Sequence, residues 1–131
     1  MKIVNQLSLF LENRRGTLAK LCEALAKAKI NICALSISDA VDHAVVRMVV
    51  DKADKAIHLL GEHGVLVVER DVLLLDGQNK SGELATIAQK LARAKVNIEY
   101  AYTATPPGAD AGVMVLRVDD MKKAARVLKG H

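Results

Sequence analysis

The chain has 131 residues, of which 51% are hydrophobic and only 2% aromatic, which allows one domain or two small ones around an aliphatic core. Lys and Arg number 19 against 15 Asp and Glu, but bases and acids alternate along the predicted helices, so the net charge of +4 predicts solvated faces and no nucleic-acid partner. No run reaches the roughly 20 apolar residues of a membrane span and no cleavable leader is apparent, so we expect a cytoplasmic protein without a membrane partner.

The first copy of the predicted fold begins with a strand, because apolar residues alternate between Leu7 and Leu11. The chain then turns over residues 13–16. An amphipathic helix follows, whose apolar side chains recur at i, i+3, i+4 and i+7: Leu18, Leu21, Cys22 and Leu25. This spacing predicts that one helix face packs against the sheet.

The next elements are a strand hairpin, a second helix and a further strand. INICALSIS and AVVRMVV are rich in β-branched residues and flank the turn DAVDH. Asp51 is predicted to cap the second helix, which ends at Gly61 and Gly64. VLVVE then predicts another strand, and the element order is βαββαβ.

The second half of the chain repeats the first. Residues 13–32 and 79–98 are identical at ten of twenty positions, at an offset of 66. Further on, VVRMVVDKADKAIHLL lies over VMVLRVDDMKKAARVL at an offset of 68. The chain is therefore a duplication of a unit of about 65 residues.

The second copy is predicted as strand VLLLD, helix 82–95, strand NIEYAYT, a turn around Pro106 to Gly108, strand GVMVLRV and helix 120–129. No fourth strand follows, so another segment must cover one edge of its sheet. We predict an α+β fold of two ferredoxin-like βαββαβ units, 1–71 and 72–131, side by side through edge strands with the helices on one face. The incomplete edge also predicts a homo-oligomer.

The cysteines and histidines predict no metal, cofactor or catalytic site, and therefore no enzyme. Cys22 and Cys33 lie inside apolar runs and are predicted to be buried thiols in a reducing compartment. The four histidines lack metal-ligand spacing and a nearby nucleophile, and all are predicted to be solvated surface side chains: His43, His58, His63 and His131.

The paired motifs NRRG and NKSG, with KINI and KVNI, resemble those of the ACT domain family, most closely the serine-sensing domain of phosphoglycerate dehydrogenase. The resemblance spans nearly the whole chain and occurs twice. It implies a regulatory module that binds a free amino acid. It places ligand contacts on the loops and the second strands, at Asn13, Gly16, Asn31, Asn79, Gly82 and Asn97. We predict that the other loop residues also contact the ligand: Arg14, Arg15, Lys80 and Ser81.

Physical chemistry supports these residue types. A helix N-terminus offers N–H groups to a carboxylate, and glycine lets the backbone approach closely. An Asn amide can serve either end of a zwitterion. The alternative is structural: the loop Asn residues cap or turn the chain, the glycines adopt positive φ, and Asn31 and Asn97 are left-handed residues ending helices.

Two ligand crevices are predicted between the copies, one using Asn13 and Gly16 with Asn97, the other using Asn79 and Gly82 with Asn31. In the serine-sensing relatives a His precedes the loop Asn by two residues, where this chain has Leu11 and Gly77. That difference argues against serine and favours an apolar ligand side chain. The chain is predicted to control a separate enzyme of amino-acid metabolism; the alternative is a structural or interaction subunit that binds no ligand.

Overall fold

A computed structural model describes residues 1–39 and 43–131, so residues 40–42 of the predicted turn DAVDH lie outside the described residues. Six strands and four helices are described. In chain order they are β1 Lys2–Leu11, α1 Thr17–Lys27, β2 Ile32–Asp39, β3 Ala44–Val50, α2 Ala53–Glu62, β4 Leu66–Gln78, α3 Glu83–Arg93, β5 Ile98–Ala104, β6 Ala111–Val118 and α4 Met121–Val127. Within the described ranges, none of the helices is both long enough and apolar enough to span a membrane.

Residues 5–70 form one compact unit, here called the N-terminal unit. Strand β3 lies between β1 and β2 and is antiparallel to both. Leu7 is opposite Met48 in the register, and Leu9 is opposite Val46. All four side chains are buried in one cluster with the helix residues Leu21, Leu25, Ala56 and Leu60. The predicted apolar stripes of α1 and α2 are thus the faces that form this core.

Residues 1–4 and 71–131 form the other compact unit, here called the C-terminal unit. Strand β6 lies between β4 and β5, again antiparallel to both, with Leu73 opposite Leu116 and Leu75 opposite Met114. These leucines and Met114 are buried with the helix residues Ile87, Leu91 and Ala124. The two units therefore build their cores in the same way, as the repeat predicts, and the α+β fold with ferredoxin-like units is confirmed.

Strand β4 differs from the prediction. VLVVE and VLLLD are predicted as two strands, yet Leu66–Gln78 is a single strand of 13 residues. The residues between the two apolar runs are Glu69, Arg70 and Asp71, with neither Gly nor Pro to turn the chain. Nothing in the sequence ends the strand, so it continues. The predicted boundary between residues 71 and 72 stays a prediction.

The segment beside the incomplete edge of the C-terminal unit comes from the other end of the chain. Met1–Val4 belongs to this unit, and the strand order places β1 next to β4. Residues 2–4 therefore occupy the position that a fourth strand would take in this repeat. Pairing between distant segments is invisible to local periodicity, which is why the sequence alone does not identify them.

Two other local predictions are wrong. Lys52, and not Asp51, is the N-cap of α2, since its carbonyl accepts the first helical hydrogen bond from Ala56 N at 3.0 Å. The Asp51 carboxylate instead accepts a hydrogen bond from the backbone N–H of Asn31 at 2.9 Å. Cys33 is exposed and Cys22 is half-buried, and both thiols are free. Cys33 lies on β2, where side chains alternate between the two sheet faces, and it is on the face away from the core. Its apolar neighbours in the sequence led to the prediction that it is buried.

Candidate functional site

The loop between β1 and α1 is shaped by Gly16. Gly16 is the N-cap of α1 and has a φ of 81°, in the left-handed region that favours glycine. Its carbonyl oxygen accepts the first helical hydrogen bond, from Lys20 N at 3.0 Å. Gly82 repeats this geometry at the start of α3 with a φ of 88°, and its carbonyl accepts from Thr86 N at 2.9 Å. Glycine has no side chain to cap the helix, and the first N–H of each helix instead donates to a loop carbonyl: Thr17 N to Arg14 at 3.3 Å and Glu83 N to Lys80 at 3.4 Å.

The two loop asparagines anchor their loops within their own units. Asn13 Nδ2 donates to Oδ1 of Asp39, at the end of β2, over 2.9 Å. Asn79 Nδ2 donates to the Ala109 carbonyl at 2.7 Å, and its backbone N–H donates to the Asp110 carbonyl at 3.0 Å. Each loop is therefore tied to the far end of the adjacent hairpin, a structural role other than the capping or turning considered from the sequence. Contact of either amide with a ligand stays a prediction.

Asn31 and Asn97 precede the second strand of each unit, and their backbones are fixed by aspartates. Asn97 N donates to Asp119 Oδ1 at 2.9 Å, and Asp119 N donates back to the Asn97 carbonyl at 3.1 Å. Asn31 makes the same pair of bonds with Asp51, at 2.9 and 3.1 Å. Both asparagines are exposed.

The left-handed residues near these asparagines are lysines. Lys29 has a φ of 59° and Lys95 a φ of 61°, so the idea that the asparagines end helices in the left-handed conformation is wrong. The left-handed residues that follow α1 and α3 therefore lie two residues before Asn31 and Asn97. Nothing in the residue type predicts this, because lysine carries the usual penalty for positive φ.

Within one unit, the loop and the second-strand Asn lie far apart. Asn31 stands at the start of β2, whereas Asn13 contacts Asp39 at its end. Eight strand residues at about 3.3 Å each separate them by roughly 25 Å. The two asparagines of one unit therefore do not share a small ligand. The predicted crevices, which pair residues from different copies, stay a prediction.

A cavity of about 490 Å³ opens beside the loop of the N-terminal unit. Arg14, Arg15 and Lys20 bring positive charge to its wall, and His63 closes it from the end of α2. Its apolar wall consists of Leu11, Leu21 and Val65. Such a wall suits a small molecule with an anionic group and an aliphatic part. Sequence reasoning missed His63 here, because periodicity does not show which helix end faces a loop.

The charged groups of this cavity are themselves solvent-exposed. Arg14 Nε lies 3.1 Å from Glu12 Oε2, and the two side chains are 76% and 68% exposed. An ion pair this exposed contributes little stability. His63 Nδ1 is 2.9 Å from the Leu59 carbonyl and donates to it. Arg14 can therefore exchange its partner for a ligand carboxylate at small cost.

The corresponding cavity of the C-terminal unit is smaller, at about 180 Å³. Lys80 lines it, and Ser81 is exposed on the same loop. Glu83, at the first turn of α3, is 93% buried, with Oε1 at 2.7 Å from His131 Nε2. The His131 side chain is only 13% exposed, so the prediction that all four histidines are solvated is wrong for this one. His58, by contrast, is 81% exposed beside Glu62.

Comparison of the sequence with models of known protein families shows which family has this fold. The family model for an ACT domain pair matches residues 1–130. The chain belongs to the ACT domain family. The ACT domain pair is a regulatory module, which agrees with the function implied by the loop motifs.

Solved structures show the same ACT fold. Protein BT0572 from Bacteroides thetaiotaomicron is 35% identical, with a TM-score of 0.90 over 97% of this chain and 87% of that one. The ligand-free regulatory subunit of aspartate kinase from Thermus thermophilus is 19% identical, with a TM-score of 0.69 over 97% and 95%. The corresponding Thermus flavus subunit is 21% identical, with a TM-score of 0.64 over 96% and 91%. No match is found among curated proteins.

The side chains of this ACT pair suggest anion recognition by nitrogen donors. In residues 1–39 and 43–131, no three His, Cys, Asp or Glu side chains gather in a way that could hold a metal ion. The cavity of the N-terminal unit instead combines guanidinium, ammonium and imidazole groups with the start of α1. Arginine is suited to carboxylates, which its planar group can bind through two hydrogen bonds.

Gly16→Ala and Gly82→Ala should each lower the free energy of unfolding by about 1 to 2 kcal/mol, because alanine is disfavoured at positive φ. A Cβ at either position would meet no heavy atom within 4 Å in the described part of the chain, so the cost is in the backbone. Gly61→Ala is the control: this glycine lies in α2 with equal space and no positive φ, and alanine there should be neutral or stabilising. Urea denaturation measures all three. Equal losses at Gly16 and Gly61 would contradict the assigned conformation.

Proposed function

We propose that this ACT domain pair binds a free amino acid and thereby regulates a separate enzyme of amino-acid metabolism, without catalysing a reaction itself. The observation that carries the proposal is the cavity of the N-terminal unit, where three basic side chains and an apolar wall lie beside the Gly16 loop. This is the loop that the family resemblance assigns to ligand binding.

The chemistry of the ligand fits this loop. The Thr17 N–H is already donated to the Arg14 carbonyl, so the donors for a carboxylate are the next N–H groups of α1 and the side chains of Arg14 and Arg15. Asn13 keeps the loop in place through Asp39 and has a carbonyl oxygen that can accept from an ammonium group. Asn31 and Asn97, at the second strands, remain proposed ligand contacts from the neighbouring copy. The loop from Asn79 to Gly82 also remains a proposed ligand contact.

The proposal includes a cytoplasmic, self-associating protein. Leu35 and Ile37 are 38% and 46% exposed on β2, which is at one end of the strand order. Exposed apolar side chains on an edge strand favour pairing with another chain. The client is proposed only as a class, an enzyme of amino-acid metabolism.

A structural subunit that binds no ligand is the second candidate. It is favoured by one observation: the cavity of the C-terminal unit is lined by the buried Glu83 and His131 side chains and measures only about 180 Å³. A ligand site narrowed by its own side chains is what a vacated sensor would show. The narrowed cavity concerns one unit only, so it leaves the N-terminal unit as the candidate sensor.

A thermal-shift screen against the twenty common amino acids tests the proposal. A ligand that binds only the folded state, present at 100 times its Kd, adds about 2.7 kcal/mol to the free energy of unfolding. We expect at least one L-amino acid to raise the Tm in a concentration-dependent way, and its D-enantiomer to do so less. If none changes the Tm at millimolar concentration, the protein is a structural subunit and the proposal is wrong.

A further inference from the structure

The C-terminal unit supplies its own carboxylate to its loop cavity. Lys90 Nζ donates to Nδ1 of His131 at 3.0 Å, since an ammonium group can only donate. The proton of the imidazole is then on Nε2, which donates to Glu83 Oε1 at 2.7 Å. Lys80 Nζ lies 3.9 Å from the other carboxylate oxygen. The Glu83 carboxylate is therefore held between two basic side chains inside the unit.

The repeat shows what stands at each equivalent position of the N-terminal unit. The offset of 66 places Thr17 opposite Glu83, Arg14 opposite Lys80 and Ala24 opposite Lys90. The offset of 68 places His63 opposite His131. The N-terminal unit thus keeps the base on the loop and the imidazole, but has no carboxylate at position 17 and no long side chain at position 24.

The volumes of the two cavities agree with this difference. The cavity lined by Thr17 and His63 measures about 490 Å³, and the one lined by Glu83 and His131 about 180 Å³. Glu12 does not provide the carboxylate that position 17 lacks, because the Glu12 side chain is 68% exposed and pairs with Arg14 at the surface. One unit therefore has basic groups around an open cavity, and the other has basic groups around a built-in carboxylate.

We propose that the N-terminal cavity binds the carboxylate of an aliphatic amino acid at the place that Glu83 takes in the C-terminal unit, so that each chain has one such site. This inference rests on the proposed ligand-binding function and adds the ligand class and the unit. The guanidinium of Arg14 receives the carboxylate, whereas the Nδ1–H of His63 is already donated to the Leu59 carbonyl. The apolar wall of Leu11, Leu21 and Val65 excludes water from an aliphatic side chain and leaves a polar one without partners.

Backbone-amide NMR titration of the unmodified protein tests the inference directly. The probes are L-leucine and isovalerate. Isovalerate is a branched aliphatic carboxylate that is one carbon shorter than leucine and has no ammonium group. We expect both to shift the amides of residues 14–17 and to leave those of residues 80–83 unchanged, with a calorimetric stoichiometry of one per chain. L-serine should bind at least tenfold more weakly than L-leucine.

Substitution at position 17 provides the second test. Thr17→Glu should weaken L-leucine binding about tenfold or more, because the new carboxylate occupies the site as Glu83 does. Ala26→Glu, which adds the same carboxylate at an exposed position of α1 outside the cavity, should bind normally. Far-UV circular dichroism of each variant reports folding, and the NMR titration remains decisive should Thr17→Glu fail to fold.

The outcomes separate this inference from the proposed function. Isovalerate binding at residues 14–17 with no response to any amino acid would keep the carboxylate site and overturn the amino-acid function. Amino-acid binding with equal shifts at both loops, or at neither, would keep the function and overturn the single-site inference. No response to either probe would overturn the single-site inference, and no Tm shift with any of the twenty amino acids would overturn the proposed function as well.

Discussion

Leu91→Ala is expected to lower the free energy of unfolding by about 2 to 5 kcal/mol, the cost of a cavity in a well-packed core. Leu91 is fully buried on α3 in a cluster with Leu73, Ile87 and Leu116. The large effect follows because an aliphatic core with few aromatic rings depends on many close contacts between branched side chains. Leu25, 66 residues earlier and 99% buried on α1, should show a loss of similar size.

Leu84→Ala is the matched control, since Leu84 is on the same helix but 48% exposed. It should cost less than about 1 kcal/mol. Urea denaturation followed by far-UV circular dichroism measures the three variants. A loss at Leu84 as large as that at Leu91 would show that α3 packs through a different face from the one described.

The sequence predicts the helices of this chain well, because a helix is specified locally. The i, i+3, i+4, i+7 pattern from Leu18 to Leu25 places α1 within a residue or two of its observed bounds. The repeat at an offset of 66 then predicts α3, which ends at Arg93 where the prediction extends to 95. Duplication makes such predictions stronger, since each copy is an independent instance of one pattern.

Features that depend on contacts between distant segments are not predictable in the same way. The placement of Met1–Val4 in the C-terminal unit depends on strand pairing far along the chain. Asp51 looks like a helix cap from its neighbours, yet its carboxylate binds Asn31, twenty residues away. Local pattern cannot decide between two hydrogen-bond partners of similar strength.

Only part of the candidate site could be predicted from the sequence. The glycines at the helix starts follow from loop chemistry, and both have the positive φ that favours glycine. The part played by His63 could have been found by extending the 68-residue offset to the last residue, which pairs it with His131. The different environments of the two histidines could not, because they depend on which groups pack around each imidazole: Glu83 and Lys90 around His131, and the Leu59 carbonyl beside His63.

Gly112→Ala should destabilise the β5–β6 hairpin by about 1 to 3 kcal/mol, the usual cost of an oversized side chain in a packed position. A Cβ on Gly112 would collide with the Ala104 carbonyl oxygen and with the Cα and Oγ1 of Thr105. Two of these three atoms are backbone and cannot rotate away. The chain between β5 and β6 must therefore shift to accept alanine.

The shift should reach the loop before Gly82, because that hairpin connection holds Asn79 through the Ala109 and Asp110 carbonyls. We expect faster hydrogen exchange at the Asn79 amide in Gly112→Ala. Gly77→Ala is the control: Gly77 is directly opposite Gly112 in the register, but its added Cβ would meet only the flexible end of Met114, at 3.4 Å, and the Gly112 carbonyl oxygen at 4.0 Å, both ordinary contact distances. Its Asn79 amide should exchange as in the unmodified protein. Unchanged exchange in Gly112→Ala would mean that the hairpin does not hold the Asn79 loop in place.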